Sequence, residues 1–218
     1  AVAVPVANSP VNTARRTIET ERTGLNALLE ALDDGLAEPF ADAIRTIRRS
    51  TGRIAVTGIG KSGHIARKVA ATLASTGTPA QFVHPAEASH GDLGMVAEDG
   101  VVLALSWSGE TVELKSLIEY SRRFGIPLIA VTASADSTLA RQADILLTLP
   151  KAEEACPHGL APTTSTMMQL ALGDALAIAL LEERGFTAER FRDLHPGGRL
   201  GASLRLVREI MHVESAIP

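Results

Sequence analysis

The hydrophobic rhythm of the chain changes near residue 50. Between residues 14 and 50 the apolar positions recur at helical spacing: Ile18, Leu25, Leu28 and Leu29, then Phe40, Ala43, Ile44 and Ile47. Asp33-Asp34-Gly35 breaks the pattern and predicts two helices joined by a turn. Beyond that point short, continuous apolar and β-branched runs take over, at residues 53–57, 80–83, 101–105, 127–131 and 145–149. Helical segments lie between and after them, notably residues 65–73, 111–124 and 166–184. Strands apolar at every position and spaced by helices predict a parallel sheet covered on both faces. The expected fold is α/β: a doubly wound, three-layer αβα sandwich with a five-stranded parallel sheet. Ligands of such sheets bind beyond the carboxyl ends of the strands, where the strand order reverses. The loops after Thr57, Val83, Leu105, Val131 and Leu149 are therefore where chemistry is sought.

Composition narrows the picture. The 218 residues suit one domain, and with 45% hydrophobic but only 3% aromatic residues the core must be built from Ala, Leu, Ile and Val. A net charge of −4 gives no bulk electrostatic case for nucleic acid. The single cysteine, Cys156, rules out an intrachain disulfide, disfavours a Cys-based zinc site and fits a reducing compartment. The most apolar stretch, residues 167–181, is interrupted by Gln169, Gly173 and Asp174 and falls short of the roughly 20 residues that cross a bilayer. The opening AVAVPVANSP lacks the basic flank of a signal peptide. The expectation is a soluble, cytoplasmic protein with no membrane and no nucleic-acid partner. Residues 1–13 form a flexible leader in this reading, residues 14–206 the domain, and residues 207–218 a tail.

Two loops carry candidate chemistry. Gly58-Ile59-Gly60-Lys61-Ser62-Gly63 joins a strand to a helix, so backbone N–H groups and the helix dipole favour an anion there. Its spacing matches neither the P-loop nor the dinucleotide fingerprint. A tight βα turn explains the glycines, but not Lys61, whose charge opposes the dipole. Ser106-Trp107-Ser108-Gly109-Glu110-Thr111 also follows a strand and opens a helix, and its hydroxyls suit a phosphate. Capping would account for Ser108 and Glu110, leaving Ser106 and Thr111 unexplained. Glu110 and Glu113, three apart, are expected to share a helix face. His84 and His90 flank Glu87 in HPAEASHGD, a pair that can bind metal although no third ligand is evident. His195 sits before two glycines in HPGG, as turn histidines do.

Taken together, GIGKSGHIARKVAATLASTGTPAQFVHPAEASHGDLGMV, LSWSGETVEL, KAEEACPHGLAPTTST and GFTAERFRDLHPGGRLG resemble the sugar-isomerase (SIS) domain of arabinose 5-phosphate isomerases. The resemblance spans about residues 24–217. It implies a flavodoxin-like sheet and interconversion of D-ribulose 5-phosphate with D-arabinose 5-phosphate, the entry to Kdo for lipopolysaccharide or capsule. It implies catalytic roles for Lys61, Glu113, Glu154 and His195. Substrate contacts are implied at Gly77, Thr78, His84 and His90, and phosphate contacts at Ser62, Ser106, Ser108 and Thr111. Some relatives hold zinc at the position of His84 without needing it for turnover, so the resemblance implies no required cofactor. It further implies a homotetramer with active sites at subunit interfaces. Two departures stand out: full-length members carry a tandem CBS pair after the segment resembling residues 206–212, and Trp107 replaces a small polar residue between the two serines. The rival expectations are a non-catalytic sugar-phosphate sensor on the same fold and an isomerase of another sugar phosphate. Residues 1–50 show no basic stripe or helix-turn-helix that a DNA-binding regulator would bring.

Overall fold

The computed structural model describes residues 9–197. The leader up to residue 8 and the stretch from residue 198, including the CBS-like tail at 207–218, lie outside the described residues. Helix α1 (Pro10–Leu32) begins inside the segment expected to be flexible. Ser9 caps it, accepting the Asn12 N–H, and Pro10 occupies the first turn, where a missing N–H costs nothing. Helix α2 (Ala37–Arg49) follows the Asp33–Leu36 turn.

Five parallel strands then alternate with helices: β1 (Ile54–Gly58), α3 (Gly60–Ser75), β2 (Ala80–Val83), α4 (Pro85–Ala88), β3 (Val101–Leu105), α5 (Lys115–Phe124), β4 (Leu128–Thr132), α6 (Thr138–Gln142) and β5 (Ile145–Thr148). Helices α7 (Thr164–Glu183) and α8 (Ala188–Leu194) close the described chain. The strand order β2-β1-β3-β4-β5 reverses direction between β1 and β3. This is the flavodoxin-like order, with its crevice at the carboxyl ends of those two strands.

Every residue of β1, β3 and β4 is buried, which is why the sequence shows no alternation there. Alternation exists, but between two apolar faces. Ile54, Val56, Leu103, Leu105, Ile129 and Val131 face the layer of α1, α2, α3 and α7. Ala55, Ala104 and Ala130 face the α5 side, and these small residues let that layer approach closely. Helix α7 is longer than the apolar stretch in the sequence suggests, and by length and composition alone it could cross a membrane. Half of its apolar window is buried inside the protein, against α1 and α3, as a core helix would be.

The structure corrects the reading of residues 111–124. The α-helix starts only at Lys115, after a single 3-10 turn at Val112–Leu114. Glu110 and Glu113 therefore do not share an α-helical face.

Candidate active site

Helix α3 leaves β1 directly. Its N-terminal flank, Ile59, offers no side-chain cap, so N–H groups of the first turn remain available at the carboxyl end of the sheet. Helix α7 runs parallel to α3. Lys68 pairs with Asp174, and a Cβ on Gly173 would overlap Val69 Cγ2, so only glycine allows this close approach. Further along, the Phe186 ring lies over Gly77. Consequently the two helices begin side by side, and Ser62 and Ser165, each in a first turn, line one cavity of about 550 Å³.

Glu154 also lines that cavity. Its Oε2 accepts the Thr163 N–H at 2.7 Å, the Thr163 hydroxyl at 2.9 Å and the Ser165 N–H at 3.3 Å. The N-terminus of α7 is thus already occupied by a carboxylate of the same chain, while that of α3 is open. Burial pushes the Glu154 carboxyl up, but the donors of Ser165 and Thr163 outweigh it and hold the group below its ordinary value.

The Ser106–Thr111 loop adjoins the cavity through Trp107, another of its lining residues. The Ser106 hydroxyl is 2.8 Å from that of Thr111 and accepts the Gly109 N–H at 3.0 Å. Gly109 has φ 69°, in the left-handed region, and a Cβ there would overlap Ser137. The capping reading of this loop is corrected. Ser108 accepts the Glu110 N–H at 3.2 Å within the turn. Glu110 instead reaches the first turn of α6, which Ser137 caps, accepting the Thr138 N–H at 2.7 Å, and those Thr138 hydrogen bonds lower its pKa.

The remaining predicted residues separate in space. Lys61 is exposed at the start of α3, and Glu113 is exposed on the 3-10 turn. His84 borders a second cavity, of about 260 Å³, together with His64 and Arg67. His90 is exposed beyond α4. Gly77 and Thr78 lie at the opposite, amino end of the sheet, where the neighbouring Pro79 carbonyl accepts the N–H of Ile54, the first residue of β1. The 16 residues of α3 separate them from the Ser62 end by about 24 Å. Thr78 is fully buried with its hydroxyl unpartnered, so within one subunit it is not a surface contact for a ligand. His195 belongs to this far group. Its ring stacks on Phe191 with centroids 4.0 Å apart, and Phe191 meets Phe186 edge to face. His195 Nδ1 lies 2.8 Å from the Phe191 carbonyl. A carbonyl only accepts, so Nδ1 is the donor in this contact and Nε2 is the ring nitrogen it leaves unengaged.

Among the described residues no group of three His, Cys, Asp or Glu side chains comes together to hold a metal. His84 Nδ1 is moreover engaged, accepting the Ala86 N–H at 3.3 Å as the cap of α4.

Sequence reasoning did not single out Ser165, Thr163 or Cys156 as site residues. The signal for them was present, since they follow β5, one of the strand ends marked for inspection. Cys156 lines the cavity, and backbone N–H groups of Ala161, His158 and Leu160 lower its thiol pKa.

The curated arabinose 5-phosphate isomerase KdsD of Pseudomonas aeruginosa is 52% identical over 209 residues, covering 95% of this chain and 63% of the relative. KdsD of Escherichia coli K12 is 53% identical over 191 residues, covering 87% of this chain and 58% of the relative. The chain spans about three fifths of the length of the curated relatives it matches. A solved structure from E. coli CFT073, in complex with arabinose 5-phosphate, is similar with a TM-score of 0.79 at 44% identity, covering 85% of this chain and 97% of that one. With residues 47–179 matching the SIS domain itself, the chain belongs to the SIS-domain family.

Proposed function

We propose that the protein is an aldose–ketose isomerase that interconverts D-ribulose 5-phosphate and D-arabinose 5-phosphate, supplying Kdo synthesis for lipopolysaccharide or capsule. The observation that carries this reading is the Glu154 carboxylate, fixed by three hydrogen bonds on the wall of a cavity that also receives the first turn of α3. The names of the relatives and the sugar phosphate in the similar E. coli structure support it.

The reaction moves a proton between C1 and C2 and another between their oxygens, and requires a base and a group that stabilises the enediol-like intermediate. The open N–H groups of α3, Ser62 and the hydroxyls of Ser106, Ser108 and Thr111 hold the phosphate beyond the ends of β1 and β3. Oε2 of Glu154 is committed to α7, so Oε1 faces the substrate and exchanges the carbon-bound proton, with Glu113 as the other candidate base. His195, through Nε2, serves the oxygens or ring opening. Lys61 stabilises developing negative charge. Oxidation at one carbon is balanced by reduction at the other, so the reaction calls for no redox cofactor.

His195, Gly77 and Thr78 lie at the far end of the subunit from Ser62 and Glu154. This favours a homotetramer in which one subunit's far group completes the site of another, and the half-exposed α1, with Val11, Ile18 and Leu29 uncovered, offers an apolar packing face. The acidic net charge and single cysteine support a cytoplasmic setting without nucleic-acid partners. A phosphate sensor needs an anion site but no ordered carboxylate beside it, so Glu154 favours the enzyme. The deciding experiment incubates the purified protein with ribulose 5-phosphate in D₂O beside a panel of other sugar phosphates. Formation of arabinose 5-phosphate with solvent deuterium on carbon supports the proposal. Binding without turnover supports the sensor, and turnover of another sugar alone supports a different isomerase.

A further inference from the structure

Trp107 is the single tryptophan of the chain, and it stands between the two serines of the β3 loop. Of that loop it is the residue that lines the Glu154 cavity. The indole is half-buried and rests on the apolar core. Its backbone is clamped to the end of β4: the Trp107 carbonyl accepts the Thr132 hydroxyl at 3.0 Å and the Ala133 N–H at 3.0 Å. An aromatic surface packed on the core therefore shares a cavity with the Glu154 carboxylate and with Ser62 and Ser165. Neither phosphate holding nor proton transfer uses an indole. Its chemistry suits the C–H surface of a carbohydrate chain, which is apolar between the hydroxyls.

We propose that Trp107 is the specificity-determining residue of this site. The inference rests on the isomerase reading above. The indole forms the wall along which the carbon chain of the sugar phosphate lies between the phosphate loops and Glu154. Because Ser106 and Ser108 flank it directly, the wall stands at a fixed offset from the phosphate. A six-carbon chain must displace the indole to bring its C1 and C2 to the base, and the packing of the indole against the core opposes that movement.

The test compares wild type, Trp107→Phe and Trp107→Ser on ribulose 5-phosphate and fructose 6-phosphate. Phe keeps an aromatic wall and the preference for five carbons. Ser opens the wall and shifts the ratio of kcat/KM toward fructose 6-phosphate by about tenfold or more, within the range one extra carbon unit commands in a pocket. Equal losses on both sugars, accompanied by a lower Tm, would mean that the indole only supports the fold and would overturn the proposal. A second readout does not depend on turnover. In the Glu154→Gln protein, arabinose 5-phosphate should change the emission of this lone tryptophan, whereas saturating inorganic phosphate should leave most of it unchanged. Identical responses to both ligands would overturn the wall. If wild type turns over neither sugar, the isomerase reading fails, and the emission experiment still decides whether a sugar chain meets the indole.

Discussion

The Thr163 hydroxyl donates to Glu154 Oε2 at 2.9 Å while accepting the Ala155 N–H at 2.8 Å. Through this pair the loop after β5 is tied to the first turn of α7, and the carboxylate cannot turn freely. Glu154 thus serves as an external helix cap and as a cavity wall at once, and the two roles separate by substitution. Glu154→Gln keeps one oxygen to accept an N–H but removes the titratable base. Stability should fall by about 1 kcal/mol, the usual scale for a cap. Turnover should fall by a factor on the order of 10² to 10⁴. Urea denaturation beside deuterium exchange at C1 or C2 checks both; native exchange in a normally folded mutant would remove Glu154 from the chemistry.

The same pair sets a pH dependence. The folded-state pKa of Glu154 lies below its ordinary value of 4.5, because the donors favour the anion. Its contribution to stability is therefore complete well above 4.5 and is lost as pH falls through the lower, folded value. The stability difference between wild type and Glu154→Gln should be constant near neutral pH and shrink below that point. A difference that instead grew toward acid would give the shift the opposite sign.

The serines of the β3 loop should not respond alike. Ser106 is buried and holds both the Gly109 N–H and the Thr111 hydroxyl, so Ser106→Ala leaves buried polar groups unpaired and should cost about 1–3 kcal/mol. Ser108 is exposed and makes one turn contact, so Ser108→Ala should leave Tm nearly unchanged. Calorimetry with arabinose 5-phosphate and with arabinose should then show a loss confined to the phosphorylated sugar. An equal loss for both would remove the loop from phosphate binding.

Much of this was legible in the sequence, for a physical reason. Burial on both faces makes β1, β3 and β4 read as unbroken apolar runs, and the strand-end rule points to the Ser62 and Ser106 loops. Boundaries slipped by one residue at β1 and β4, because Gly58 and Thr132 pair in the sheet without being hydrophobic. The late start of α5 was hidden, since a 3-10 turn and an α-helix draw on the same residues. Glu154 reaches Thr163 and Ser165 across an irregular loop that has no period to detect. The separation of His195 from Glu154 depends on α3 and α7 running parallel, which rests on Gly173 meeting Val69 across more than a hundred residues.

That contact gives its own prediction. Gly173→Ala would press a methyl group into Val69 and force α3 and α7 apart at about mid-length. Overpacking of this kind costs about 1–3 kcal/mol. Because Ser62 and Ser165 line one cavity only while the helices stay close, KM for the sugar phosphate should rise as well. Val69→Ala in the same chain provides room and should restore both quantities together. Restored stability without restored KM would separate the helix spacing from the site.

The distance between the two groups of predicted residues makes assembly testable. Ser62, Lys61 and Glu154 stand at the carboxyl end of the sheet, whereas Gly77, Phe186 and His195 stand at the amino end. If one subunit's His195 completes another's site, Lys61→Ala and His195→Ala proteins are each inactive alone but complementary when mixed. Random exchange places an intact Lys61 and an intact His195 together in a quarter of shared sites. About 25% of wild-type activity should therefore return once exchange reaches equilibrium, provided the sites act independently. If each chain instead folds its own His195 over its own Glu154, no hybrid contains a complete site and activity stays at zero. Exchange is verified separately by mass spectrometry of differently tagged subunits. A monomeric mass by light scattering would remove the tetramer and the shared site together, because His195 would then have no second subunit to reach.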